Sequence, residues 1–125
     1  MRTREILRSE WREFFNSFSR RHKGLLVTLE ILGTEIGAQV EERELAFEGI
    51  VADCNEIKGD EIAIMIGAMR DVHITHSISR PTSVNLEQTD EGIDVALAIK
   101  AENETTTLLT FIVAVLPASV KTAVA

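Results

Sequence analysis

The sequence predicts an α+β protein that is mostly β. One N-terminal amphipathic helix packs on a bent antiparallel sheet, or a small barrel, of about eight strands. Three observations lead there. Trp11, Phe14, Phe15 and Phe18 recur at the spacing of one helix face. From Leu25 onward, apolar residues take every second position. The connections between these alternating runs are short, which makes neighbouring strands antiparallel.

The helix is placed at 9–22. Ser9 offers a capping hydroxyl, and Glu10 puts a carboxylate in the first turn. Arg20, Arg21 and Lys23 suit the negative end of the helix dipole, and Gly24 suits a left-handed stop. Residues 3–8 read as an irregular lead-in. The aromatic stripe must be buried, so the helix lies on the sheet. His22 extends the stripe at the helix C-terminus, where the dipole and partial burial account for it.

The β body spans 25–116, and 117–125 reads as a flexible tail, all within one domain of 1–125. Leu25, Val27, Leu29 and Ile31 share a face, and Gly33 closes their strand. Ile36, Ala38 and Val40 form the next run, and Glu41 to Glu44 reads as a solvated turn. Leu45, Phe47 and Val51 follow, then a turn rich in Asn, Gly and Asp at 55–60. Ile62, Ile64 and Ile66 make one inward row, and 67–71 reads as a loop. Val72, Ile74 and Ile78 make another, and Pro81 ends or bends that strand. Val84 and Leu86, a hairpin turn at Asp90-Glu91-Gly92, and the run from Ile93 to Ile99 complete the alternation. The last strand, 108–116, is apolar on both faces. Such a strand is either central and covered on both sides or an association surface, and the second reading implies a homodimer through 108–116.

Charge divides the chain. Residues 1–23 carry a net +4 and residues 24–125 a net −11, which together give the overall −7. An acidic body disfavours general nucleic-acid binding, which needs a basic face to release counterions. Only the N-terminal segment, above all Arg2, Arg4 and Arg8, could contact an anion. No apolar run is long enough to span a bilayer. The residues after Met1 lack the apolar stretch of a signal peptide. With a single cysteine, Cys54, the chain fits a reducing compartment, and a cytoplasmic location is expected.

The most chemically loaded stretch is Asp71 to Arg80, with His73, Thr75, His76 and Arg80 as candidate ligand-pocket residues. Three apart on a strand means opposite faces, so His73 and His76 cannot share a metal ion. Alternation turns His76 inward, where it is either a pocket base or a hydrogen-bonded core histidine. Three histidines and one cysteine argue against structural zinc. Asp53 and Asn55 begin like a calcium loop, but Lys58 stands where the obligatory glycine belongs. The sequence has no phosphate loop, nucleophile elbow or HExxH motif. No catalytic, cofactor or metal residue is therefore assigned.

Several stretches together resemble a family of short bacterial proteins described only as a domain of unknown function. They are Met1-Arg-Thr-Arg-Glu-Ile6; Glu10-Trp11 with Phe14, Phe18, His22 and Gly24; Val27-Thr28; Leu32-Gly33; and Glu35-x-Gly37-Ala38-Gln39. His73-Ile-Thr-His76 with Arg80-Pro81, and the Thr105–Leu109 run, extend the likeness, whereas 53–61 and the tail after Leu116 fall outside it. The resemblance implies no activity and carries over no catalytic residue. The first expectation is a non-enzymatic binding or accessory protein that self-associates. The alternatives are an enzyme or small-ligand binder with a pocket around His73, His76 and Arg80, and anion binding through the basic N-terminus.

Overall fold

The computed structural model describes residues 1–33, 37–69 and 72–112, with backbone alone for 37–43 and 68–69. Strand β1, Arg2–Ile6, leads through a single 3-10 turn at Arg8–Glu10 into helix α1, Trp11–His22. Seven strands follow: β2 Leu26–Gly33, β3 Gly37–Asp53, β4 Glu61–Met69, β5 Val72–Ser79, β6 Pro81–Gln88, β7 Asp94–Ala101 and β8 Thr106–Phe111. They form one sheet in the order β1-β6-β7-β8-β2-β3-β4-β5, with every described pairing antiparallel. The sheet is bent but not closed, which selects the open alternative over the small barrel.

Alternation puts one face of every strand into a common core. Val27, Leu29, Phe47, Ile50, Ile62, Ile64, Ile66, Leu97, Ile99 and Leu109 are all essentially inaccessible. Trp11, Phe15 and Phe18 of α1 close this core, with Phe18 packed edge-on to Phe47 at 5.9 Å. The helix is also pinned by polar groups. Ser19 Oγ donates to Ile50 O at 3.1 Å and accepts from Ile50 N at 2.9 Å, next to a register shift between Phe47 and Gly49. Trp11 Nε1 donates to Ile6 O at 2.9 Å, tying the helix to β1.

The opposed charges of the two segments meet within the chain. Arg8 forks onto Asp60 at 2.6 and 2.9 Å, Arg21 reaches Asp94 at 3.2 Å, and the N-terminal amine reaches Asp90 at 2.9 Å. His22 donates through Nδ1 to Phe18 O at 2.8 Å and faces Asp94 Oδ2 through Nε2 at 3.0 Å. The helix C-terminus is thus anchored to the start of β7 by more than the dipole.

Four local readings are corrected. The lead-in is strand β1, because its backbone pairs with β6 from Arg2–Gln88 to Ile6–Val84 although four of its five side chains face solvent. The helix begins at Trp11, and its first turn has no side-chain cap from Ser9 or Glu10. Residues 41–44 do not turn the chain. β3 runs through them, absorbing extra residues as register shifts opposite Leu29, with Glu44 in the left-handed region at φ +50°. β4 continues to Met69, into the stretch expected to be a loop, and 70–71 lie outside the described residues. The count of eight strands survives because one strand was missed and one was divided in two.

The described part of the two-sided apolar run, β8, lies in the middle of the sheet between β7 and β2. Leu109 and Phe111 face the core, and Leu108 is half-buried on the other side. Residues 113–116 and the tail 117–125 lie outside the described residues.

Candidate functional site

β5 and β6 are separated by one residue, Arg80. Its φ of +51° turns the chain sharply, so that β5 pairs with β4 while β6 pairs with β1 and β7. A left-handed non-glycine residue is strained by about 1 kcal/mol or more, and neighbours must hold it there. They do: Arg80 N donates to Asp60 O, and Glu102 N donates to Arg80 O, both at 3.0 Å. This corner carries β5 away from the rest of the strand path and leaves it as a sheet edge.

A half-open cleft of about 270 Å³ lies alongside β5. One wall is β5 from His76 to Ser79, and the other is formed by Ile31 of β2, Thr107 of β8 and the β7–β8 turn with Asn103 and Thr105. Ile31 and Thr107 are cross-strand partners in the same rows as the buried Leu29 and Leu109. Ile78 is buried, whereas Ser77 and Ser79 of the opposite parity are exposed. The lining thus mixes core-side and solvent-side residues. This seam separates the edge strand β5 from the mid-sheet strands β2 and β8.

His76 is half-buried at the seam, with its Nε2 3.5 Å from Thr107 Oγ1. Thr107 is only 2% exposed, a buried hydroxyl on an otherwise apolar row. Among the described residues, the polar lining of the cleft is His76, Asn103 and the hydroxyls of Ser77, Ser79, Thr105 and Thr107, with no Asp, Glu, Lys or Arg among them. Such a lining offers donors and acceptors to a neutral polar group.

His73 and Thr75 point the other way, onto the outer face, and are exposed. His73 Nδ1 donates to Glu48 Oε2 at 2.8 Å. The carboxylate reaches from β3 over Gly67 of β4, where a Cβ would collide with it, so glycine is what lets the pair form. The His73 side chain remains 61% exposed, and no described cavity holds it.

Arg80 stands beside the cleft and shares a more open groove with Ser79, Glu102 and Asn103. A third groove joins it to Asp53, Lys58, Gly59, Asp60 and Glu61. The four pocket candidates therefore split in two. His76 lines the seam and Arg80 stands beside it, whereas His73 and Thr75 lie on the outer face.

Of the candidate anion contacts, Arg8 is committed within the chain. The hydrogen bonds with Asp60 raise its pKa further and hold the Asp60 carboxyl below its ordinary 3.8. Arg4 lies over the Phe14 ring at 5.8 Å, and Arg2 lies beside Gly92; both are exposed. Among the described residues, no group of three or more His, Cys, Asp or Glu is placed to hold a metal ion. No described helix is long and apolar enough to cross a membrane.

Thr107, Asn103 and Thr105 were not singled out as site residues from the sequence. The Thr105-Thr106-Thr107 run is visible as a cluster of hydroxyls, but nothing local places it opposite β5.

The fold and site define a class: an α+β protein in which one helix backs a bent, open antiparallel sheet with a cleft at its seam. The family model described as "Family of unknown function (DUF5335)" matches residues 2–115, and the chain belongs to that family. No curated protein and no solved structure matches it.

Proposed function

We propose that this protein is a non-enzymatic binding module that holds a small, uncharged polar group in the seam cleft. One observation carries the reading. His76 lines a half-open cleft with a buried hydroxyl beside it, so it is not packed shut as a core histidine would be. Hydroxyls and an amide with no fixed charge favour a ligand that presents its own hydroxyl or amide.

Binding is favoured over catalysis because His73, the histidine that Glu48 orients, sits on an open face outside the cleft.

Several further expectations join the proposal. Nucleic-acid binding is disfavoured, since Arg8 and Arg21 are held by Asp60 and Asp94 in an acidic chain. A cytoplasmic protein suits the free thiol of Cys54. The described part of the 108–116 strand has both edges paired, so no subunit contact is proposed there.

Thermal denaturation against a panel of neutral polar metabolites tests the reading. Ligand at about 100 times its Kd adds about 2.7 kcal/mol, a melting shift of several degrees. A compound that stabilises the wild type and leaves His76→Gln unmoved supports the seam. Shifts that persist in His76→Gln, or none at millimolar ligand, would refute it.

A further inference from the structure

We propose that the group entering the seam belongs to an extended peptide segment of a partner protein, which adds as a strand along the edge of β5. The inference rests on the binding reading above and names its ligand class.

Its first support is the edge itself. Among the described residues β5 pairs with β4 alone, which places it at an edge of the sheet. Natural edges are usually blunted by charged side chains or proline. The opposite edge, β1, follows that rule with Arg2, Arg4 and Glu5 in five residues. From Val72 to Ser79, β5 has no Asp, Glu, Lys, Arg or Pro, and Val72, Ile74, Thr75 and Ile78 are β-branched. An edge of this composition favours pairing.

The cleft is the second support. At about 270 Å³ it falls just below the range of about 300–1,000 Å³ that holds whole drug-sized ligands. It suits one or two small side chains. A strand added to an edge delivers that, because alternate side chains point to one face while the backbone supplies affinity.

Charge distinguishes a single strand from a second copy of the chain. Across the seam from β5 stand Ile31 and Thr107, and the Thr107 hydroxyl lies 3.5 Å from His76. A second copy would bring a second chain of net charge −7 to the acidic Arg80 end of β5, whereas a cationic segment complements it.

Charge gives the segment its polarity. The grooves at the Arg80 end carry Asp53, Glu56, Asp60, Glu61 and Glu102 against Arg8, Lys58 and Arg80, in a chain of net charge −7. The fitting segment therefore has small uncharged side chains over the cleft and a Lys or Arg at the Arg80 end.

The test is to pan random peptides longer than eight residues on the immobilised full chain, then titrate the enriched sequences in solution. They should carry a Lys or Arg beside an uncharged stretch and protect amides of 72–79 from hydrogen exchange. Thr75→Lys, on an exposed position, should weaken them more than about tenfold, the scale of a like-charge juxtaposition. No enrichment, or protection elsewhere than β5, overturns the proposal. So does a concentration-dependent dimer abolished by Thr75→Lys, since a second copy then occupies the edge. If neutral metabolites stabilise the wild type but not His76→Gln while no peptide binds, only the peptide class fails. If neither binds, the seam reading fails with it.

Discussion

β1 and β5 both run along an edge of the sheet, yet they are finished in opposite ways. β1 is short, exposes Arg2, Thr3, Arg4 and Glu5, and buries only Ile6, which Trp11 ties to the helix. β5 is eight residues without Asp, Glu, Lys, Arg or Pro beside a cleft, set apart by a corner residue held at positive φ. The difference teaches that one edge is finished by charge and by the helix, whereas the other, among the described residues, has neither.

The sharpest way to break this comparison is to remove one core anchor at each edge. Ile6→Ala should destabilise by about 2–5 kcal/mol in chemical denaturation, because its cavity is sealed under β1 and α1. Ile78→Ala should fall at or below the low end of that range, since the space it leaves opens into the cleft. Equal losses would mean that the seam is as tightly packed as the β1 side.

Thr107→Val tests the polar floor of the seam. The substitution keeps the shape of the side chain but removes the hydroxyl facing His76, and should change stability by about 1 kcal/mol or less. Ligand-induced melting shifts should disappear with it. Retained shifts would place the ligand elsewhere.

Arg80→Gly separates strain from function. Glycine adopts positive φ freely, so stability should hold or rise by up to about 1 kcal/mol. Any ligand that depends on the Arg80 end should nevertheless bind differently. A large loss of stability would show that the side chain, not the backbone turn, holds the corner.

The smallest effect lies at the join between the N-terminal segment and the β body. Asp60 titrates below its ordinary 3.8 in the folded protein, because Arg8 is hydrogen-bonded to it. Protonation therefore favours the unfolded chain. The Asp60 contribution is fully present above the unfolded value and is lost as pH falls through the lower folded one. Arg8→Gln should flatten the acid limb of a pH–stability curve below about pH 4 and leave neutral stability almost unchanged. An unchanged acid limb would show that the pair does not persist in solution.

How much was legible follows from where each feature's cause lies. The helix stripe and the alternation from Leu25 are local, and both gave their elements. The inward turn of His76 and the opposite facing of His73 came from strand parity alone. β1 was hidden because an edge strand with one buried side chain has no hydrophobic period and is held by backbone pairing. The acidic run at 41–44 resembled a turn, but bulges let a long strand carry it. Thr107 could not be paired with His76, because the bend of the sheet, not sequence spacing, brings residues 31 positions apart together. Gly67 likewise gave no hint that a Glu48 carboxylate would cross it.

The central claim is that ligands enter at the seam. An NMR screen of the isotope-labelled full chain against a library of small polar fragments tests it most directly. The account predicts that amide shifts cluster at Ile31, His76 to Ser79 and Asn103 to Thr107. Fragments that bind instead along Arg2–Ile6 or the exposed face of the helix, or no binding at millimolar concentration, would contradict it.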